Sequence, residues 1–327
     1  ENPDAKAVLI INPTYYGVAT DIKKIADIVH SYDIPLIVDE AHGPHLGFNE
    51  KLPMSSIEAG ADICAQSTHK IIGALTQCSL LHVNSKRIDV HRVQQVLNVL
   101  QTTSPSYILM ASLDCARRQI ALHGHELLDK AIGLANYARE EINKIPGFYC
   151  FGEEILGEPG VFSLDPTKMT ITCRGLGITG YDLDMILSNK YHIQMEMSDL
   201  YNVLAVGSFG DTNESINALL KALREISKDY YGKGNKRSDF IDIPAIPNMV
   251  KIPREAFNSE KVCVSLKESI GKISGEFLMA YPPGIPILCP GEIITGEIID
   301  YVQKLKDTGL YVQGTEDPEV NFIKVVK

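Results

Sequence analysis

Short apolar runs alternate with an amphipathic segment in the first 83 residues, and this alternation limits the possible folds more than any other feature. The apolar runs at 7–11, 35–39, 61–66 and 80–83 are typical of buried strands, whereas 21–31 has the apolar spacing of a helix. Strands that alternate with helices are typical of a largely parallel sheet with helices packed on it. The sequence therefore predicts an α/β fold.

The remainder of the chain divides into further segments. Helical periodicity dominates at 89–100 and 106–145, and Pro146-Gly147 ends it. A second α/β set follows, with strands at 169–173 and 202–206 and helices at 181–188 and 212–228. A polar, glycine-containing linker at 230–235 leads to a proline-rich segment and a predicted helix at 265–280. We expect three domains, at 1–145, 146–235 and 240–327.

Composition excludes several classes of protein. With 45% hydrophobic and 22% charged residues the chain is an ordinary globular protein, and its net charge of -10 argues against nucleic-acid binding. Its seven cysteines are scattered without a C-x-x-C pair, which favours a reduced, cytoplasmic setting over disulfides or zinc. No apolar stretch approaches the roughly 18 to 20 residues of a membrane span. We expect a cytoplasmic protein that binds neither nucleic acid nor membranes.

Two motifs that follow predicted strands contain the residues that could bind a cofactor or take part in catalysis. Asp39-Glu40-Ala41-His42-Gly43 follows one strand, and Ser67-Thr68-His69-Lys70 follows another. Ligands bind at the carboxyl ends of strands in such sheets. Pyridoxal phosphate needs a lysine amine for its aldehyde and a carboxylate beside its ring nitrogen, which Lys70 and Asp39 can supply. A lone Asp at a strand end is commonly a helix cap and a lone His-Lys pair is commonly exposed, so the two motifs together predict the site.

The wording of these motifs resembles the ornithine/lysine/arginine decarboxylase family of fold-type I pyridoxal-phosphate enzymes. Blocks at 12–17 (NPTYYG), 101–107 (QTTSPSY) and 281–292 (YPPGIP to PGE) are similar to that family in the same order, so the resemblance covers essentially the whole chain. It is strongest toward the shorter arginine decarboxylases. It implies the remainder of an aspartate aminotransferase-like, cofactor-binding large domain at 1–145, a small α/β subdomain at 146–235 and a C-terminal α+β decarboxylase domain at 240–327.

The resemblance also implies roles for individual residues. Asp39 pairs with the ring nitrogen and Lys70 is the Schiff-base lysine, while His42 lies near the ring oxygen or the substrate. Ser67 and His69 are implied to contact the phosphate of the cofactor. Thr103 and Ser104 are implied to reach a neighbour's cofactor across the interface of a homodimer or larger homo-oligomer. An alternative for the Ser-Pro at 104–105 is a helix start, with the hydroxyl capping the helix that begins near 106.

Three acidic or imidazole side chains have competing interpretations. Glu276 is a candidate for the anionic end of the substrate pocket, and the alternative is an exposed glutamate on a helix face. Glu292 is a second candidate, with capping of a helix from 293 as its alternative. His42 and His45 are close enough to suggest a metal, but the intervening Gly-Pro and the lack of a third ligand argue against zinc. We therefore expect no metal, and a hydrogen-bonded loop histidine at His45.

The predicted reaction is decarboxylation of arginine to agmatine and carbon dioxide, a step of polyamine biosynthesis. Lysine and ornithine remain alternative substrates, and an aminotransferase-type enzyme or an inert fragment are alternative functions. Family members carry, before the region similar to this chain, a phosphate-binding loop and a ring-stacking side chain that are not found here. The expectation is an amino-terminally truncated member that by itself binds the cofactor poorly.

Overall fold

A computed structural model describes residues 2–233, 243–281, 284–307 and 310–327. The chain divides into two compact units, one formed by 1–196 with 200–235 and the other by 197–199 with 236–327. Within the described ranges, the search for a helix long and apolar enough to cross a membrane found none.

The first sheet is built from the predicted apolar runs. The chain up to residue 83 forms β1 (Val8–Ile11), β2 (Val18–Ala19), α1 (Ile22–Ser31), β3 (Leu36–Asp39), β4 (Ile63–Gln66), α2 (Thr68–Ile71) and β5 (Leu80–Val83). The strand order of the first sheet is β1-β3-β4-β5. The first three strands run parallel and β5 is antiparallel to β4, which confirms a largely parallel sheet. Asp39 lies opposite Ile11 and Ala65, so the carboxyl ends of β1, β3 and β4 meet at one edge.

The amphipathic pattern of α1 positions this helix on the sheet. Its apolar residues Ile22, Ala26 and Val29 are buried and pack in one cluster with Leu36 and Val38 of β3. The Asp21 carboxylate accepts the Lys24 backbone N–H (3.0 Å) and so caps the first turn. Leu36 and Val38 are buried, and Asp39, whose side chain points the other way, is left exposed at the sheet edge.

Two helices follow the first sheet, α3 (Val90–Leu100) and the 36-residue α4 (Tyr107–Ile142). The Ser106 hydroxyl caps α4 by accepting the Leu109 backbone N–H (3.4 Å), so the helix begins where the pattern predicts, and Ser106, not Ser104, is the cap. Buried residues of α4 concentrate in its second half, which packs against the next sheet.

The elements after α4 are β6 (Tyr149–Cys150), β7 (Ser163–Leu164), β8 (Lys168–Thr172), α5 (Gly180–Tyr191), β9 (Met197–Ser198), β10 (Asn202–Val206) and α6 (Asn213–Tyr230). The elements from β6 to α6 belong to the first unit, except for β9, whose residues belong to the second unit. Strand β8 pairs antiparallel with both β6 and β10, and α4, α5 and α6 bury their apolar faces in the same core. Strand β7 pairs with β2, which brings the chain just before β8 beside the loop after β1.

The second unit contains α7 (Pro253–Asn258), β11 (Lys261–Ser265), β12 (Leu278–Tyr281), β13 (Ile285–Leu288), α8 (Gly296–Asp307), β14 (Tyr311–Gln313) and β15 (Phe322–Val326). Strand β11 pairs with β15, and β12 lies between β13 and β14, all antiparallel.

The helix predicted at 265–280 is wrong. Ser265 ends β11, a 3₁₀ turn follows at Lys267–Ser269, and β12 occupies Leu278–Tyr281. Glycines explain the error, because Gly271 has φ +81° and the Lys261 stem covers Gly275 so closely that a Cβ there would lie 2.8 Å from it. The prolines of the predicted YPPG block, 282 and 283, lie outside the described residues, as does the linker end at 234–235.

Candidate active site

The two residues predicted to serve the cofactor lie at the carboxyl edge of the first sheet. Asp39 is the last residue of β3, where its carboxylate accepts the Ala41 backbone N–H (3.0 Å) and its side chain is exposed. Lys70 lies in α2, which begins two residues after β4 ends. Because β3 and β4 are parallel neighbours, the sheet brings both residues to the same edge.

His42 is the hydrogen-bonded neighbour of Lys70. The Lys70 Nζ lies 3.1 Å from the His42 Nε2. The Tyr15 ring packs on the imidazole with 4.0 Å between ring centroids, and the Lys70 Nζ is 5.2 Å from the Tyr15 centroid. Tyr15 was part of a predicted block without an assigned role, and the structure places it over the Lys70–His42 pair.

A second lysine reaches the other nitrogen of His42, and sequence reasoning missed it. Lys168, the first residue of β8, is fully buried, and its Nζ lies 3.5 Å from the His42 Nδ1. The strand was predicted to begin at 169, which left Lys168 outside it. A lysine directly before a strand predicted to be buried is the signal that could have found it, because lysine is almost never fully buried without a partner.

The charges around His42 determine its protonation. Burial, then the neighbouring cations of Lys168 and Lys70, lower the pKa of His42 to about 3. Burial also lowers the pKa of Lys168, against the opposing pull of the carboxylates of Asp165 and Glu196. His42 is therefore a neutral imidazole between two amines at neutral pH.

Asp165 is the buried anion of this cluster. Its Oδ2 lies 3.0 Å from His45 Nε2, and its Oδ1 accepts both the backbone N–H (2.9 Å) and the hydroxyl (2.7 Å) of Thr167. Burial raises its pKa, but His45, Lys168 and Thr167 outweigh burial and bring the pKa down to about 2. His45 is thus a buried, hydrogen-bonded histidine that holds Asp165 beside Lys168.

The backbone before β8 is held by two further residues. Gly17 has φ +84°, and a Cβ there would lie 2.7 Å from the Lys168 Cβ, so only glycine lets the lysine stem pass. Buried Arg139 of α4 donates to the carbonyl oxygens of Phe151 (2.8 Å), Pro166 (3.0 Å) and Lys168 (2.9 Å). These contacts fix where the Lys168 side chain leaves the strand.

Glu40, the neighbour of Asp39 in sequence, has a different environment. It is fully buried, and its Oε1 accepts the Ser56 backbone N–H (2.7 Å) and hydroxyl (2.6 Å). Its Oε2 accepts from the Gln66 amide (2.6 Å) and the Cys64 thiol (3.2 Å). These bonds tie the loop that carries His42 to the end of β4.

The remaining predicted cofactor residues are partly or fully exposed. Ser67 precedes α2, and His69 Nδ1 contacts the Cys78 carbonyl oxygen (2.8 Å), which leaves Nε2 as its outward nitrogen. Thr103 and Ser104 are exposed in the loop between α3 and α4. The structure therefore brings together Asp39, His42, Ser67 and Lys70 around one sheet edge and places the 103–104 pair on the surface of the same unit.

The two candidate substrate residues lie in the second unit. Glu276 Oε1 accepts the Glu316 backbone N–H (3.0 Å) and Oε2 accepts the Lys324 backbone N–H (2.7 Å), so it is not a freely exposed helix residue. Glu292 accepts the Cys289 backbone N–H (2.6 Å), and α8 begins only at Gly296. Among the described residues, no cluster of three or more His, Cys, Asp or Glu side chains is arranged to hold a metal.

Comparison with known protein families shows to which family this chain belongs. The profile of the Orn/Lys/Arg decarboxylase major domain matches residues 1–215, and the profile of the C-terminal domain of the same family matches residues 242–317. The chain belongs to the Orn/Lys/Arg decarboxylase family. This family consists of pyridoxal-phosphate-dependent decarboxylases, as the motifs at 39–43 and 67–70 predict.

Individual relatives agree with this membership. The arginine decarboxylase of Bacillus subtilis (strain 168) is 46% identical over all of this chain, which spans 67% of that protein. The Francisella novicida lysine decarboxylase structure matches 98% of this chain and 57% of its own, with 23% identity and a TM-score of 0.82. An alanine–glyoxylate aminotransferase from Nostoc sp. matches 68% of this chain with a TM-score of 0.53, and 61% of its own chain, at 18% identity. The predicted fold-type I architecture is confirmed.

The donor set of this decarboxylase-family site fits pyridoxal phosphate. The cofactor requires an amine, a carboxylate for the ring nitrogen and polar groups for the phosphate. The half-buried Lys70 amine, the exposed Asp39 carboxylate and the Ser67 hydroxyl meet at one sheet edge. The buried carboxylates, Glu40 and Asp165, have their own donors and leave Asp39 as the accessible one.

Proposed function

We propose that this chain binds pyridoxal phosphate and decarboxylates arginine to agmatine and carbon dioxide. The observation that carries the proposal is the Lys70–His42 pair, with Nζ 3.1 Å from Nε2, at the sheet edge where Asp39 ends β3. The arginine decarboxylases at 45–46% identity support arginine as the substrate, with lysine and ornithine as the alternatives.

Each residue of the edge has a proposed part. Lys70 holds the cofactor aldehyde, Asp39 faces the ring nitrogen, and Ser67 and His69 contribute to the phosphate site. When bound, pyridoxal phosphate captures the substrate amine and takes up the electron pair that the departing carboxylate leaves behind. The negative charge of Asp39 favours a protonated ring nitrogen, because an opposite charge nearby stabilises the charged form.

His42 and Tyr15 act on the amine of Lys70. The 3.1 Å contact gives Lys70 a partner with which it can exchange a proton. The Tyr15 ring covers the imidazole, whose side chain is only 4% exposed, and so keeps water from one side of this pair. An amine that can gain and lose a proton beside the substrate is what return of a proton to Cα requires.

Glu276, Thr103 and Ser104 serve recognition in this proposal. Glu276 supplies negative charge for the cationic end of the substrate, since its two oxygens each bind one backbone N–H and a carboxylate has about four acceptor positions. Thr103 and Ser104 reach a second copy of the chain in a homodimer or larger oligomer. Exposed apolar residues on both sides of that loop support an interface there: Val99, Leu100, Tyr107 and Ile108.

We further infer a cytoplasmic enzyme with domains at 1–145, 146–235 and 240–327. The seven cysteines are free thiols, which suits a reducing compartment. The division of contacts near 235 supports the last boundary.

The function is tested by trapping and by product analysis. Because the sequence predicts weak cofactor binding, the full chain is incubated with saturating pyridoxal phosphate before it is reduced with borohydride and mapped by mass spectrometry. We expect the pyridoxyl adduct on Lys70 because α2 places its amine at the same sheet edge as Asp39. Arginine, lysine and ornithine are then supplied separately, and we expect carbon dioxide with agmatine from arginine.

Matched variants separate the site from other lysines. Lys70→Ala should lose both the adduct and the product, whereas Lys86→Ala, at an exposed lysine, should keep both. An adduct on another lysine would refute the assignment of Lys70. Formation of a 2-oxo acid in place of carbon dioxide would show an aminotransferase.

A further inference from the structure

The imidazole of His42 bridges two lysine amines. Lys70 Nζ lies 3.1 Å from Nε2, and Lys168 Nζ lies 3.5 Å from Nδ1. A neutral imidazole has one N–H donor and one acceptor nitrogen, so its two amine neighbours cannot both play the same part. The tautomer of His42 therefore decides whether Lys70 meets a donor or an acceptor.

The position of Lys168 is built by its surroundings. The residue is fully buried, Gly17 leaves room for its stem, and Arg139 binds its carbonyl oxygen (2.9 Å). Asp165, also fully buried, is the nearby carboxylate that attracts its ammonium group. A buried lysine is costly unless it is paired, so this construction indicates that the amine has a function.

The charges of the neighbouring groups indicate which nitrogen of His42 carries the hydrogen. Burial lowers the pKa of Lys168, and the carboxylates of Asp165 and Glu196 oppose that shift. Because Asp165 is a fully buried carboxylate that needs a cation nearby, we assign the ammonium form to Lys168, and an ammonium group is a donor only. Among the described residues, the hydrogen-bond partner of the Lys168 Nζ is His42 Nδ1, which must then accept. The remaining nitrogen, Nε2, carries the hydrogen and points it at Lys70.

We propose that Lys168 is a positioning residue that donates to His42 Nδ1, fixes the Nε2–H tautomer and so makes His42 a hydrogen-bond donor to Lys70. An uncharged amine can accept that bond, whereas an ammonium cannot. The arrangement favours the nucleophilic form of Lys70. Its consequence for catalysis rests on the proposed function, but the tautomer itself does not.

The tautomer is measured directly. Long-range ¹H–¹⁵N correlation spectra of the full chain with ¹⁵N-labelled histidine distinguish Nε2–H from Nδ1–H, and the signal of His42 is assigned by its loss in His42→Phe. We expect Nε2–H in the wild type at neutral pH. An Nδ1–H pattern in the wild type would overturn the proposal without any variant at Lys168.

Variants of Lys168 test the cause. In Lys168→Met the tautomer should shift toward Nδ1–H or a mixture, and His42 should protonate at higher pH because a neighbouring cation is gone. Lys168→Arg should restore Nε2–H, and Lys51→Met, at an exposed lysine paired with Asp129, should change nothing at His42. An unchanged tautomer in folded Lys168→Met would overturn the proposal.

The pH titration must consider every group that faces His42. These groups lie in the loop after β1, in the His42 loop itself, in α2 and around the start of β8: Tyr15, His45, Lys70, Asp165 and Lys168. Of these, Lys168 is the one that contacts Nδ1. The change in the tautomer and in the protonation pH of His42 should therefore appear in Lys168→Met and not in a Tyr15→Phe variant.

Reactivity of Lys70 provides a second readout that needs no cofactor. An amine-reactive probe at pH 8 should label Lys70 about fivefold more slowly in Lys168→Met, since one hydrogen bond of about 1 kcal/mol no longer favours the uncharged amine. Unchanged labelling of Lys70 would contradict the proposal. The correct tautomer in a chain that forms no agmatine would instead refute the proposed function alone.

Discussion

His42 should make the folded protein sensitive to mild acid, and replacing it by Phe should remove that sensitivity. Burial and two lysines lower the pKa of His42 from 6.5 to about 3 in the folded protein. An unfolded chain takes up a proton at this residue below pH 6.5, but the folded chain does not until the pH approaches 3. The contribution of neutral His42 to the free energy of unfolding is therefore complete above pH 6.5 and is lost as the pH falls from 6.5 toward 3.

The size of this loss follows from the two pKa values. Between pH 7 and pH 5 the unfolded state gains about 2 kcal/mol over the folded state from His42 alone. Asp165, whose pKa is about 2, titrates below this range and does not contribute to it. The change of about 2 kcal/mol is a large share of the 5 to 15 kcal/mol by which domains are usually stable.

Urea unfolding at pH 5, 6 and 7 measures the effect, followed by circular dichroism because the chain has no tryptophan. His42→Phe keeps a ring against Tyr15 but cannot titrate. We expect its free energy of unfolding to fall by about 2 kcal/mol less than that of the wild type between pH 7 and pH 5. His91→Phe, at an exposed position of α3, should behave like the wild type. Equal losses in His42→Phe and wild type would refute a buried, neutral His42.

Two further substitutions test how Lys168 is held. Gly17→Ala should destabilise the protein by about 2 to 4 kcal/mol, from a left-handed φ of +84° and a Cβ 2.7 Å from that of Lys168. Gly60→Ala, with φ +97° and no atom within 4 Å, should cost only about 1 to 2 kcal/mol. Arg139→Lys should cost about 2 to 4 kcal/mol in urea unfolding, because one ammonium cannot reach three carbonyl oxygens, whereas exposed Arg118→Lys should be neutral.

The first sheet was predictable because its signals are local. Apolar runs of four to six residues and the spacing in α1 are properties of adjacent residues, and they place the strand ends that carry Asp39 and Lys70. Parallel pairing then brings those ends to one edge whatever the details of the loops. The Asp39–Lys70 neighbourhood therefore follows from pattern and topology alone.

Lys168 was not predictable in the same way because its role depends on a contact 126 residues away in sequence. The link arises from the pairing of the short strands β2 and β7, each only two residues long, which periodicity does not detect. The helix at 265–280 was wrongly predicted for the opposite reason, because there a local pattern was present but did not determine the structure. There the apolar spacing was present, but the glycines and the pairing of β11 with β15 determined the local structure.

The adjacent carboxylates Asp39 and Glu40 show how strand geometry divides two similar residues between structure and chemistry. Side chains alternate along an extended chain, so Glu40, directly after β3, turns inward when Asp39, the last residue of β3, faces the sheet edge. Glu40 turns inward and accepts four hydrogen bonds from Ser56, Cys64 and Gln66. Because Glu40 is fully bonded it does not compete for the Lys70 amine, and the exposed Asp39 carboxylate remains accessible to a ligand. The pairing of a bonded inner carboxylate with an open outer one explains why two acidic residues stand together at the end of a buried strand.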